Sequence, residues 1–455
     1  MAGPPKTSDE DRPSPPDERP CRLEPLAYDA LYVGMLGVLT PSLLYKVARG
    51  KYRQGWRDKL GFVPERPEGP RIWVHAVSVG EAVAAGVLAN GLREALPDYD
   101  IVVSTVTPTG QAVARKRFGE EACFYLPLDF SGSVRRALRR TKPDIIILME
   151  LEVWPNLIAA ASRAGVPVVI VNGRISDKAY PKYLRLKRFI KKSMRRIAAV
   201  GAQTEGYAER FRALGVPRED VTVTGSLKYD GVKTGPDPES LACAKEALRV
   251  SEGERVLLGA STHRTEELAI ARAWRGIPAG ERWRLVVCPR HPERVPGVEA
   301  ELAREGLKTV RRTALRDDPE LKVESDAVVV IDTVGELGRI CRAADIVFVG
   351  GSLIPHGGQN PMDPAGLGKA TVFGPHMFNF GEPVEALLAE GGAVQVESGE
   401  ELAKVVASLA ADEPGRKHLG DAGRRAIDSR KGAVGRTVEL IRAQLPADAR
   451  RPLDA

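Results

Sequence analysis

Two acidic stretches carry the residue types that acid–base chemistry needs. The first is Ser78-Val79-Gly80-Glu81, which directly follows the apolar run IWVHAV (72–77). Small residues that end a strand and start a helix leave backbone N–H groups that attract anions. A carboxylate at that point can accept a proton from a substrate hydroxyl. Glu81 also fits a simpler description, a helix-start carboxylate stabilised by the dipole, and four residues alone favour the simpler one. The second stretch is Met149 to Asn156, MELEVWPN, at the end of the run IIILME (145–150). Two carboxylates, Glu150 and Glu152, beside Trp154 are costly to bury without a use. Pro155 equally marks an ordinary first helical turn.

Cations and glycines gather in the second half of the chain. Arg290 and His291 lie in CPRHPER (288–294), Val334, Gly335 and Glu336 lie in DTVGEL (332–337), and Asn360, Pro361, Met362 and Asp363 close GGSLIPHGGQNPMDP (350–364). Each stretch follows an apolar run. Arg290 suits a phosphate, the glycines permit close backbone approach, and the helix expected after Asn360 offers its N-terminus to an anion. Each signal is weak alone; their common placement at strand ends reads as a nucleotide site. The first strand is not followed by G-x-G-x-x-G, which disfavours a dinucleotide dehydrogenase, and the chain lacks G-x-x-x-x-G-K-[ST], which excludes a P-loop NTPase. The D-x-D of Asp98 and Asp100 precedes a strand, so a metal-held sugar nucleotide has no support. Neither a metal nor a cofactor is expected.

The elements that must position these residues follow from the apolar runs. IWVHAV, IVVSTV (101–106), IIILME, PVVIVN (167–172) and VTVTGS (221–226) form a first series, separated by helical patterns such as Glu81–Leu96 and Trp154–Ala164. VLLGAS (256–261), LVVCPR (285–290), AVVVID (327–332), DIVFVGG (345–351) and ATVFG (370–374) form a second. Such runs separated by helices signal parallel sheets covered on both faces. The polar segment 229–240, YDGVKTGPDPES, reads as an interdomain linker. The expected fold is α/β with two doubly wound domains, 61–228 and 241–445, facing across a cleft at their strand C-termini. A length of 455 residues fits two or three domains.

The remaining segments bear on partners. Residues 1–24 are rich in Pro and charge, lack a secretory layout and read as a disordered tail. Residues 25–60 read as membrane-associating: the uncharged run 30–45 is too short and Pro-broken for comfortable spanning and suits a bilayer interface. Six cations follow it between Lys46 and Lys59, which favours keeping the downstream chain cytoplasmic. A first helix packed on the protein's own core is the plainer alternative. Lys182, Arg185, Lys187, Arg188, Lys191, Lys192, Arg195 and Arg196 share one sign, with Leu186, Phe189, Ile190, Met194 and Ile197 at helical spacing. This predicts a basic amphipathic helix facing anionic lipid or a phosphorylated acceptor. Nucleic acid is not expected, because interleaved aromatics are nearly absent. The net charge of +7 (67 basic minus 60 acidic) agrees with anionic partners, and five scattered Cys exclude a zinc ribbon and argue against a disulfide scaffold.

Taken together, the motifs resemble the 3-deoxy-D-manno-octulosonic acid (Kdo) transferases of lipopolysaccharide assembly. The matching stretches are WVHAVSVGEAVAA, TVTPTGQAVA, YLPLD, ILMELEVWPNLI, VNGRIS, VTGSLKYD, STHRTEE, CPRHPER, DTVGELG and FVGGSLIPHGGQNPMDP followed by FGPHMFNF. They run in the family order from about Tyr28 to Glu382. The resemblance implies a GT-B fold, CMP-Kdo as donor, a lipid A precursor as acceptor, inversion at the anomeric carbon and attachment to the cytoplasmic face of the inner membrane. It implies that Glu81 is the general base and that Glu150 and Lys228 stabilise the transition state. It assigns CMP contacts to Arg290, His291, Val334 to Glu336 and Asn360 to Asp363. The chain departs from the family pattern at Leu151, where Thr is usual, at Gln359, where His is usual, and at Asp363, where Glu is usual. Asp is one methylene shorter, so a contact to the ribose lengthens or passes through water. Two rival readings remain: a GT-B enzyme using a UDP-sugar, such as a lipid-linked hexosamine transferase or a sugar-nucleotide epimerase, and a non-enzymatic protein docking on membranes.

Overall fold

β-Branched and aliphatic runs with no polar face bury both sides of a strand, so they assemble into sheets with helices on each face. A computed structural model describes residues 28–30, 32–34, 54–235, 237–278 and 280–445. The tail 1–24 and most of the segment 25–60 lie outside the described residues. The chain divides into two units, residues 1–227 with 433–455, and residues 228–432.

The first unit holds a seven-stranded sheet: β1 (Arg71–His75), β2 (Asp100–Thr105), β3 (Cys123–Tyr125), β4 (Ile145–Met149), β5 (Val168–Gly173), β6 (Ala199–Ala202) and β7 (Val221–Val223). The strand order is β3-β2-β1-β4-β5-β6-β7, and every pairing is parallel. Side chains alternate between the two faces as strand geometry requires. Trp73, Ile146, Leu148 and Ile170 enter one core, while Ile72, Val74, Ile147 and Val169 enter the other.

The second unit repeats the plan with β8 (Arg255–Thr262), β9 (Trp283–Pro289), β10 (Lys308–Arg311), β11 (Ala327–Val330), β12 (Ile346–Val349), β13 (Ala370–Phe373) and β14 (Val394–Gln395). The order is β10-β11-β9-β8-β12-β13-β14, again parallel throughout. Each unit is thus a doubly wound, Rossmann-like domain. Chain order reverses between β1 and β4 in the first sheet and between β8 and β12 in the second. At such a switch point the following loops turn to opposite faces and leave a crevice at the strand C-termini, where ligands bind in this architecture.

Two expectations need correction. Residues 433–445 were expected in the second domain. The helix Ala433–Arg442 instead joins the first unit, where Ala433, Val438, Ile441 and Leu445 share a buried cluster with Leu88 and Leu92. The close fit depends on Gly91, at which a Cβ would lie 2.4 Å from Val434 Cγ1. The basic stretch 182–196 was expected as one helix. It is two, Tyr180–Arg185 and Lys187–Arg195, meeting at Leu186. Ile190, Met194 and Ile197 face the core as the spacing requires, while Leu184, Leu186 and Phe189 are exposed. Among the described residues, no helix is long and apolar enough to cross a membrane.

Candidate active site

Glu81 stands in the first turn of the helix Val79–Ala95, directly beyond β1. Ser78 caps that helix, and Glu81 reaches back in the reciprocal manner of a capping box. The Val77 N–H donates to Oε2 (2.8 Å), the Ser78 hydroxyl donates to Oε1 (2.8 Å), and the Glu81 N–H donates to Ser78 Oγ (3.3 Å). The side chain is nearly buried. The helix-start role that the residue type allows is therefore real. It does not exhaust the carboxylate: each oxygen has two acceptor sites, and these contacts occupy one on each.

β4 lies beside β1 in the sheet, so the MELEVWPN stretch emerges next to Ser78–Glu81. Glu150 has φ +59°, a left-handed conformation that a non-glycine residue adopts only where the surroundings impose it. Its N–H donates to the Val171 carbonyl (2.9 Å). The helix Pro155–Arg163 is anchored by buried Asp129, whose carboxylate accepts the N–H groups of Asn156 (3.0 Å) and Leu157 (2.9 Å). Glu152 is the residue whose importance the sequence left unassigned. Burial pushes its carboxyl up to about 8, and the charges of Glu81 and Glu150 push the same way. Three carboxylates thus share one switch point, and at neutral pH Glu152 keeps its proton. Beneath them His75 is fully buried and its imidazole is lowered to about 4 by that burial; its Nδ1 pairs with Ser104 Oγ at 2.9 Å.

Lys228 sits where the chain enters the second unit, in the short helix Leu227–Asp230. Its neighbours fix the turn. The Leu227 N–H donates to Oδ1 (3.1 Å) of Asn172, the penultimate residue of β5, at φ +53°. The Tyr229 hydroxyl donates to the Glu382 carboxylate, 2.8 Å from both oxygens. Asn172 and Glu382 were not singled out as functional in the sequence, although both lie in or beside stretches that match the family.

In the second unit, the loops after β8, β9 and β12 are tied together. The Arg290 N–H donates to the Thr262 carbonyl (2.9 Å), and the Arg294 guanidinium bonds Glu267 (2.9 Å). The His263 ring centroid lies 4.1 Å from that of His356 and 6.1 Å from that of His291. Burial lowers His263 to about 4, and the positive field of His356, Arg294, His291 and Arg290 adds to it. That field suits an anion. Arg290 and His291 are exposed, with His291 Nδ1 3.3 Å from the Glu293 carboxylate.

The other two sequence-predicted stretches are held by different partners. Val334 is 86% exposed and Gly335 has φ +90°. Burial pushes the Glu336 carboxyl up, but the Thr333 hydroxyl and the Arg312 and Arg339 guanidinium groups outweigh it and hold the group below its ordinary range. The helix expected after Asn360 is a single turn, Met362–Gly366, and Asn360 Oδ1 already accepts the Met362 N–H (3.0 Å). An anion site on that helix N-terminus is therefore not available as expected. Asp363 itself is exposed.

Glu152 gives a pH test. In the unfolded chain its carboxyl titrates near its ordinary value, whereas in the fold it holds its proton to about 8. Between those values the folded state binds more protons, so stability falls as pH rises through the window. Glu152→Gln removes this loss. The variant is expected to gain on the wild type by on the order of 2–4 kcal/mol between about pH 5 and about pH 9 in urea denaturation. A difference that does not change with pH contradicts the assignment.

Comparison with known proteins agrees with this geometry. Residues 54–231 match the family model of 3-deoxy-D-manno-octulosonic-acid transferase (kdotransferase). The chain is 32% identical over 421 residues to the 3-deoxy-D-manno-octulosonic acid transferase of Haemophilus influenzae, a match covering 91% of this chain and 95% of that protein. It is 32% identical over 434 residues to the enzyme of the same name from Bordetella pertussis, covering 90% of this chain and 98% of that protein. A crystal structure of a glycosyltransferase from Rickettsia africae superposes with a TM-score of 0.52 at 12% identity, covering 83% of this chain and 99% of that one; this likeness shows the fold alone. With two Rossmann-like units and relatives of this closeness, the chain belongs to the 3-deoxy-D-manno-octulosonic acid transferases, GT-B glycosyltransferases of lipid A and lipopolysaccharide biosynthesis.

Proposed function

We propose that the chain transfers Kdo from CMP-Kdo to a lipid A precursor, with inversion at the anomeric carbon and Glu81 as the base. The observation that carries the proposal is the meeting of Glu81, Glu150 and Glu152 at the switch point of the first sheet, with Glu81 held by hydrogen bonds that leave acceptor capacity on both oxygens. The acceptor hydroxyl gives its proton to Glu81 as its oxygen bonds the anomeric carbon. The bond from that carbon to the phosphate oxygen breaks, and its electron pair leaves on CMP. Lys228 and Arg290 face the leaving phosphate, and fixed charges of this kind stabilise a transition state without reorganising. Glu150, held in a strained backbone conformation, supports the developing positive charge on the sugar. The first unit receives the acceptor and the second the donor, whose CMP contacts Arg290, His291, the Val334–Glu336 turn and the Asn360–Asp363 turn, the last through side chains and loop backbone.

The same reading sets the chain on the cytoplasmic face of the inner membrane. Leu184, Leu186 and Phe189 are exposed beside Lys182, Arg185, Arg188, Lys191 and Lys192, all also exposed. Apolar side chains flanked by cations of one sign suit an anionic bilayer surface. In the segment 25–60, Trp56 and Leu60 are exposed as well.

Glu81→Gln keeps the cap geometry but cannot take a proton. It is expected to fold normally and to lose turnover by about two to four orders of magnitude; near-native turnover in the folded variant contradicts the base assignment. For the membrane, vesicle co-sedimentation is expected to show salt-sensitive binding to anionic vesicles, weakened by Leu186→Ser with Phe189→Ser. Equal, salt-independent binding to neutral and anionic vesicles contradicts it.

A further inference from the structure

Glu266 opens the helix Glu266–Arg275, in the loop that follows β8, and is fully buried. Its carboxylate is saturated by backbone. Oε2 accepts the N–H groups of His263 (2.8 Å) and Gly351 (2.7 Å), and Oε1 accepts those of Ser352 and Leu353 (both 3.0 Å). A carboxylate offers about four acceptor sites, and here each one meets an N–H. Three of the donors are consecutive residues of the turn after β12, and the fourth belongs to the loop after β8. These two strands are neighbours, and they flank the switch point of the second sheet.

Without the carboxylate, successive N–H groups of that turn would be enclosed without partners, a state that folded proteins avoid. The turn has no room to settle elsewhere. A Cβ on Gly350 would lie 2.4 Å from the Ser261 carbonyl oxygen, and Gly351 has φ +68°. The same oxygen that holds Gly351 holds the backbone of His263. This sets the His263 ring over Gly351 and beside His356, with His263 Nε2 enclosed and without a protein partner among the described residues. The next residue, Glu267, accepts the Thr262 hydroxyl (3.1 Å) and the Arg294 guanidinium (2.9 Å). The two adjacent carboxylates therefore tie the end of β8 and its loop to two neighbours, Glu266 to the turn after β12 and Glu267 to the loop after β9.

We propose that Glu266 is the positioning residue of the donor site: its carboxylate fixes the turn 350–353 against the loop after β8, and so seats His263 as the buried support of the exposed His356, which faces the phosphate end of the nucleotide. Glu266 touches no substrate and moves no proton; it acts through the backbone it holds. This rests on the reading that the loops after β8, β9 and β12 bind CMP.

The test uses the full chain and the variant Glu266→Gln, in which an NH2 group must replace one oxygen and confront two N–H donors. Hydrogen exchange is expected to show lost protection confined to residues 261–265 and 349–356. CMP binding by calorimetry is expected to weaken at least tenfold. In steady state, well below the melting temperature, the KM for CMP-Kdo should rise while the KM for the acceptor stays unchanged. Glu266→Asp, which keeps the charge and loses one methylene, should recover part of the CMP affinity. A folded Glu266→Gln with wild-type CMP affinity overturns the proposal. So does loss of protection across the whole second unit in both variants, which would make the residue a general stability element. A wild-type chain that does not bind CMP overturns the donor reading itself, and that failure is recognisable without any variant.

Discussion

The structure depends on how a parallel sheet closes its own crevice. Where strand order reverses, the loops after two neighbouring strands diverge, and the N–H groups at their bases lack strand partners. In both units a glutamate in the first turn of the helix after the leading strand takes up those donors: Glu81 beyond β1 and Glu266 beyond β8. The two differ in how far they are used. Glu266 receives four N–H groups and has no acceptor capacity left. Glu81 receives one N–H and one hydroxyl. One carboxylate is committed to architecture, and the other keeps the capacity to take a proton. The same local device thus yields a structural anchor in one domain and, in the other, the carboxylate proposed as the base.

Backbone strain marks the same places. Of the six non-glycine residues with positive φ among the described residues, Glu150, Asn172, Ser261 and Thr265 lie at or just beyond strand C-termini. Such conformations persist only where the surroundings over-determine them. Each of the four is followed or held by a hydrogen-bonded loop named above. The glycine-rich turn after β12 serves the same end by a different route, since Gly350 lets one loop lie directly on another.

Much of this was legible in the residues. The ten apolar runs became ten parallel strands in two sheets; nine are buried on both faces, which leaves no other use for them, and VTVTGS became the strand β7, where Thr222 and Val223 are exposed. The strands Cys123–Tyr125, Ala199–Ala202, Lys308–Arg311 and Val394–Gln395 were not legible: they are two to four residues long, and AVGA or KTVR carries no apolar run to read. The return of the helix Ala433–Arg442 to the first unit was hidden for another reason. Its apolar positions say that it packs, but only Gly91 and its neighbours say on what. The site was legible as motifs and not as wiring. Glu81 and Arg290 stood out by residue type, whereas the saturation of Glu266 and the upward shift of Glu152 arise from burial and neighbours that no spacing shows.

The central claim is that these two switch points serve one transfer, Kdo from CMP-Kdo to a lipid A precursor. It is tested most directly by mass spectrometry of a tetraacylated lipid A precursor after incubation with the purified chain and CMP-Kdo generated in situ. The account predicts an acceptor heavier by one or more Kdo residues, formed only when CMP-Kdo is supplied. An acceptor left unchanged by CMP-Kdo but extended when a UDP-hexosamine is supplied would contradict it.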